Sequence, residues 1–300
     1  MTDRTPFSAE SAGEVLKDAC SAIGADATTA KLLRLGENAI FILDTPAVVV
    51  RIARGPRYAA DAEKEVRVAS WLAQNGISAA RLFSTPQPIN VDGHPVTFWE
   101  VVPDSGSKVQ AGELGSVLRA VHACPVPTQL DLPALNIFGR VEGRIDAASG
   151  IGGAVLTFLR KRLHDLVDAY EQLVFNGEPV ALHGDAHVKN LIRTPEGEAV
   201  LIDFEGFCLG PREVDLAVTA TEYEIGWHSD RDYENFCSTY GMDVRSRPGF
   251  QILRDVNLLK MTTWLMQNVQ ESREVADEFE RRLEALRCPA KLAGLAWQPF

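Results

Sequence analysis

Hydrophobic positions switch between helical and strand period over the first third of the chain and keep the helical period over most of the rest. Val15, Leu16, Ala19 and Ile23 recur at helical spacing and predict a helix over 11–24, with Gly24 as its stop. Three strand-like runs follow at 31–35, 39–43 and 47–53, the last two joined by an Asp44-Thr45-Pro46 turn. A helix over 61–75 ends at Gly76, and a hairpin pairs 89–91 with 96–102 across Asp92-Gly93, closing at Pro103. From Ser107 the period is helical. Leu114, Val117, Leu118 and Val121 form one stripe that ends at His122; a helix after Ser149–Gly153 reaches about Phe175. Two last helices bury Ile252, Val256 and Leu259, then Val275, Phe279, Leu283 and Leu286. A strand-rich first third thus precedes a helix-rich remainder.

Two apolar runs inside that remainder are too short for helices. The segment ending at Leu182 and the run Val200-Leu201-Ile202 read as small buried strands that hold a polar loop from both sides and send Asp185 and Asp203 into one cleft. Asn190 lies five residues after Asp185, the spacing of the kinase catalytic loop, and Asp203 opens an Asp-Phe-Glu where protein kinases have Asp-Phe-Gly. Phosphoryl transfer needs a carboxylate to take the proton of a hydroxyl and hard oxygen ligands for Mg2+ on the nucleotide phosphates. Asp185 is the expected base; Asn190 and Asp203 are the expected metal ligands. A rival reading takes His183, Asp185 and His187, with Asp203, as a zinc or iron cluster of a metal-dependent hydrolase, because alternate residues of an extended segment face one way.

His183-Gly184-Asp185, Asn190, Ile202-Asp203-Phe204 and Gly210-Pro211-Arg212-Glu213-Val214-Asp215-Leu216-Ala217 occur in the order in which the aminoglycoside phosphotransferase and choline kinase family carries them, and the chain resembles that family over nearly its whole length. The resemblance implies an α+β, two-lobed, protein-kinase-like fold. A small antiparallel-sheet lobe would span 1–102 and a mainly helical lobe 103–300, with His183 and Asp215 supporting the catalytic loop. It implies transfer of the γ-phosphoryl group of ATP or GTP to a small-molecule hydroxyl. It also places the backbone of Glu100, Val101 and Val102 against the nucleotide base. Arg51 stands where a kinase has its phosphate-binding lysine. Glu65 shares a helix face with Val68, Ala69 and Leu72, and a charge on that inward face needs a partner, so Glu65 is expected to pair with Arg51. Gly36-Glu37-Asn38 holds a single glycine where a phosphate-covering loop would lie. A non-catalytic nucleotide-binding protein is therefore a second alternative. A protein-directed kinase is disfavoured, since only twelve residues separate Asp203 from Asp215.

Composition narrows the partners. A formal charge of −11 disfavours nucleic acid and anionic membrane and suits a cationic acceptor. Glu205, Glu222, Glu224, Trp227 and Asp230 are the candidate acceptor contacts, and point to an aminoglycoside, aminosugar or amino alcohol. Five cysteines without a Cys-x-x-Cys pair read as reduced thiols. The first residues carry no basic and apolar signal pattern, so a soluble, cytoplasmic protein is expected.

Overall fold

The structure is a computed structural model that describes residues 7–36, 38–288 and 297–299. The expectations on the first six residues and on Glu37 lie outside them. In chain order the elements are α1 (Ala9–Ala22), β1 (Lys31–Leu35), β2 (Asn38–Asp44), β3 (Ala47–Ala53), α2 (Ala59–Gln74), β4 (Ile89–Val91) and β5 (His94–Glu100). They continue as α3 (Ala111–Ala123), α4 (Gly139–Asp146), α5 (Gly153–Glu171), β6 (Val180–Leu182), β7 (Leu191–Arg193), β8 (Ala199–Leu201) and β9 (Cys208–Gly210). Last come α6 (Glu213–Glu224), α7 (Asp230–Tyr240), α8 (Phe250–Leu265) and α9 (Arg273–Arg287). This is a protein-kinase-like mixture of a small antiparallel sheet with helices. Among the described residues no helix is long and apolar enough to cross a membrane.

Two compact units divide the chain. The first comprises the chain up to Val109 together with Cys124–Leu132 and Lys189–Phe207. Its five-stranded sheet runs β1-β2-β3-β5-β4, antiparallel throughout. Period-two alternation sorts the sheet's faces. Phe41, Val50 and Phe98 are in register across three strands and join Leu43, Val48, Ile52 and Val96 in a core closed by Ala12, Val15, Leu16 and Ala19 of α1. Arg51, in register with Ile40 and Thr97, must therefore point to the other face. Asp92 and Gly93 both adopt positive φ, 50° and 83°, as the tight β4–β5 turn requires.

The second unit comprises Gln110–Ala123, Pro133–Val188 and the chain from Cys208 onward. Helices α3 and α7 pack so closely that a Cβ on Gly115 would lie 2.7 Å from the carbonyl oxygen of Phe236, so glycine is required there. The buried strand β6 pairs antiparallel with β9, Leu182 opposite Cys208, whereas in the first unit β7 pairs with β8. The two short apolar runs are thus strands as expected, yet each belongs to its own two-stranded ladder. Helix α4 has no counterpart in the sequence reading, because eight residues with only Val141 and Ile145 buried give too little period to detect. Strand β5 stops at Glu100, so Val101 and Val102 lie beyond the sheet.

Candidate active site

Arg51 is the centre of the first unit's polar face. Its guanidinium donates to Glu65 at 2.5 Å and to Glu205 at 2.8 Å, and stands 4.0 Å from Asp203. With its amide turned to satisfy both groups, Asn38 also accepts from Arg51, at 3.0 Å from Nε and 2.7 Å from Nη2. The expected pairing with Glu65 is present. Glu205, expected on the acceptor, accepts from this cation, and its backbone oxygen accepts from Lys64 at 2.7 Å. Three carboxylates sharing one guanidinium cannot all ionise cheaply. Glu65 is the deepest, and burial pushes it up to about 7 against the opposing charge of Arg51.

The β7–β8 hairpin explains how Asn190 and Asp203 meet. Leu191 is opposite Leu201, and Ile202 donates its amide to the Asn190 carbonyl at 2.9 Å, so Asn190 just before the hairpin and Asp203 just after it share its open end. Asp203 is held at φ 65°, a left-handed conformation costly for a residue with a Cβ. Its carboxylate stays 44% exposed. An amide oxygen and a carboxylate on one hairpin end form a hard-oxygen donor pair of the kind that suits Mg2+.

Asp185 belongs to the second unit. The loop after β6 is pinned by Asp215, whose carboxylate accepts the backbone amides of His183 at 2.7 Å and Gly184 at 2.9 Å. Behind it His122, fully enclosed, bonds Asp215 at 3.1 Å and the Tyr240 hydroxyl at 2.9 Å. Gly184 sits at φ 79°. The turn this creates leaves the Asp185 carboxylate 54% exposed, 3.4 Å from His187 Nε2. Burial by the surrounding protein would raise this carboxyl; the hydrogen bond and charge of His187, with Lys260 and His183, outweigh it and hold Asp185 well below the usual carboxylate range. A base of this kind is ionised at every physiological pH.

The acidic run does not form one face. Glu222 bonds His228 at 3.0 Å, Glu224 bonds Arg254 at 3.2 Å and Asp230 accepts from Tyr223 at 2.9 Å. Trp227 donates to the Trp297 carbonyl at 2.8 Å. Asp230 and Asp232 occupy the first turn of α7, where acids complement the helix dipole and Asp232 completes a capping box with Ser229. Those positions account for the charge without an acceptor. The zinc or iron reading also loses its geometry: among the described residues no group of three His, Cys, Asp or Glu is placed to hold a metal ion. One residue that sequence reasoning did not single out acts on the base: Lys260 on α8, which is itself acted on by Arg140 and Arg144 of α4. A lysine in the interior of a predicted helix, off its apolar stripe, was the available signal.

A profile of the phosphotransferase enzyme family matches residues 29–255. No curated protein matches the chain. Among solved structures, the amicoumacin kinase hAmiN, in complex with AMP-PNP, Ca2+ and Ami, superposes with a TM-score of 0.73 at 15% identity, covering 95% of each chain. A microcompartment-associated aminopropanol kinase gives 0.69 at 17% identity over 95% of this chain and 99% of its own. The choline kinase LicA from Streptococcus pneumoniae gives 0.63 at 15% identity over 92% and 99%. At such identities the structures speak for the fold, while the match over 29–255 spans most of the sequence, catalytic loop included. This chain belongs to the phosphotransferase enzyme family and is a small-molecule kinase.

Proposed function

We propose that the protein transfers the γ-phosphoryl group of ATP, or of GTP as the alternative donor, to a hydroxyl of a small molecule, with Asp185 as the base. The observation that carries this reading is the Asp215-pinned loop that presents an ionised, half-exposed Asp185 carboxylate. The acceptor oxygen attacks the γ-phosphorus, the bond from that phosphorus to the bridging oxygen breaks, and the nucleoside diphosphate leaves with the electron pair. Asp185 takes the hydroxyl proton. It receives that proton as bonding to phosphorus acidifies the hydroxyl.

Asn190 and Asp203 would hold Mg2+. Held there, the ion would supply positive charge to offset that of the nucleotide phosphates. Arg51 serves the α- and β-phosphates, and the chain past β5, Glu100 to Val102, serves the base. Glu65 and Glu205 orient the guanidinium.

An amine-bearing acceptor, such as an aminoglycoside, aminosugar or amino alcohol, is favoured by the names of the similar structures, choline kinase and aminopropanol kinase among them. Glu222, Glu224 and Asp230 supply it little support, being engaged with His228, Arg254 and Tyr223. The test is nucleotide consumption, with ATP and with GTP, across a panel of aminoglycosides, amino alcohols, sugars and hydroxy acids. Acceptor-dependent ADP or GDP release that Asp185→Asn abolishes supports the reading. Acceptor-dependent release that survives this substitution would overturn the assignment of the base.

A further inference from the structure

A cavity of about 240 Å³ opens in the second unit where α3 and α7 end and α6 begins. Its wall includes Arg119 and His122 of α3, Arg212 at the start of α6, and Tyr240 and Met242 at the end of α7. All of them belong to that unit. The volume lies below the ~300–1,000 Å³ of pockets that enclose drug-sized ligands, so its occupant is small.

The charge of the cavity is one-sided. Among the described residues no Asp or Glu lines it, and neither Arg119 nor Arg212 forms an ion pair within 4.0 Å. Two carboxylates act on Tyr240, but Asp215 is engaged by His122 and two backbone amides, and Glu213 does not line the cavity. The C-termini of α3 and α7 bring about half a negative charge each, against two positive charges on the arginines, so a positive surplus remains. In a chain with 41 acidic and 30 basic residues, a shortage of acids does not explain two unpaired arginines at one cavity. Guanidinium groups grip phosphate oxygens bidentately, and two of them on different helices can address different oxygens of a tetrahedral anion.

The cavity is also wired to the loop that carries Asp185. His122 and Tyr240 are its buried wall. His122 Nε2 donates to Asp215 at 3.1 Å, which leaves Nδ1 of a neutral imidazole to accept from the Tyr240 hydroxyl at 2.9 Å. Burial pushes that hydroxyl up to about 12, so it keeps the proton it donates. Asp215 in turn accepts the amides of His183 and Gly184, the two residues before Asp185. An anion in the cavity offers Tyr240 a charged acceptor in place of Nδ1, and such a bond is roughly twice as strong.

We propose that this cavity is an effector site for a phosphate group, held by Arg119 and Arg212, whose occupant draws the Tyr240 hydroxyl from His122 and loosens the loop before Asp185. The binding stands on the cavity; the effect on turnover rests on the reading of Asp185 as the base. Phosphate bound here lowers turnover without competing with nucleotide.

The probes are inorganic phosphate and glycerol 3-phosphate, titrated by calorimetry into the full chain at saturating ADP and Mg2+, so that the nucleotide site is filled. The tighter of the two tells whether the free ion or a phosphate ester is the occupant. Arg119→Gln and Arg212→Gln should each weaken binding about 10–100-fold, the range of a hydrogen bond to a charged group. Arg119→Lys should lie between, keeping the charge and losing the fork. Arg119 is exposed, so these replacements spare the fold. The ring resonances of His122 should move as phosphate is added to the unaltered protein and stay in place in Arg119→Gln at the same concentration. With an acceptor in hand, phosphate should lower kcat at saturating ATP, and Tyr240→Phe should bind phosphate yet lose that response. No binding of either probe, or binding that both glutamine variants retain, would overturn the site. Binding that leaves His122 and kcat unmoved would overturn the effector role. Calorimetry and the His122 signal need no turnover, so they read the site even where no acceptor is phosphorylated, a result that would count against the kinase reading instead.

Discussion

The surroundings of Arg51 and of Asp185 are built with opposite signs. In the first unit one guanidinium is shared by Glu65, Glu205 and, more loosely, Asp203; in the second, one carboxylate is overseen by His187, Lys260 and His183. Residues of the same acidic kind shift in opposite directions: Glu65 is pushed up to about 7 and Asp185 is held well down. Both pay a desolvation cost, so burial does not separate them. The balance of neighbouring charge does. An anionic surplus suits a place that holds a divalent cation, and a cationic surplus suits a place where a carboxylate stays ionised.

Asp185→Asn tests the second half of that contrast and should have the largest effect, because it removes the proton acceptor while nearly preserving shape. Turnover should fall by ~10²–10⁴-fold with nucleotide affinity unchanged, as steady-state kinetics and nucleotide titration would report. Arg51→Ala attacks the first half. It strands three carboxylates around an empty centre and should cost about 3 kcal/mol in chemical denaturation, besides raising the nucleotide requirement more than the acceptor requirement. Arg51→Lys should restore part of both, lacking the planar fork that reaches Glu65 and Glu205 together.

Asp203→Ala should be milder. It removes one charged oxygen ligand, and since partners outside the first coordination shell are already worth ~10–100-fold in metal affinity, a loss of at least tenfold in Mg2+ dependence is expected. A magnesium titration of turnover that does not move would reassign the ligand. The smallest effect is on stability against pH. The folded value of Glu65, about 7, lies above its ordinary 4.5, so the folded chain binds more protons between them and this group's contribution to stability falls as pH rises through that window. Asp185, depressed in the fold, contributes with the opposite slope, and only at pH below its ordinary 3.8. Denaturation midpoints from pH 4.5 to 7 should therefore report Glu65 and not Asp185, and Glu65→Gln should flatten the trend.

Much of this was legible in the sequence. The boundaries of β3, the turn at Asp92-Gly93 and the Arg51–Glu65 pair follow from short-range rules: β-branched runs, positive-φ turn residues, and a charge on an apolar helix face that demands a partner. The buried stripe Val275, Phe279, Leu283 and Leu286 of α9 follows in the same way. The bond from Arg51 to Glu205 was not legible, because it joins positions 154 residues apart. The partners of the acidic run from Glu222 to Glu234 were hidden for a related reason. Charge density along a sequence does not reveal that one acid caps a helix, another holds a histidine and a third holds an arginine.

The sequence by itself determined the family, the order of its catalytic blocks and the face of each strand, since spacing and period are properties of the chain. Tertiary structure alone decided charge. Whether a carboxylate ionises depends on which groups reach it through space: Lys260 on α8 acts on Asp185, and Glu205 acts on Glu65 from a distant stretch of chain, and no local pattern brings these together.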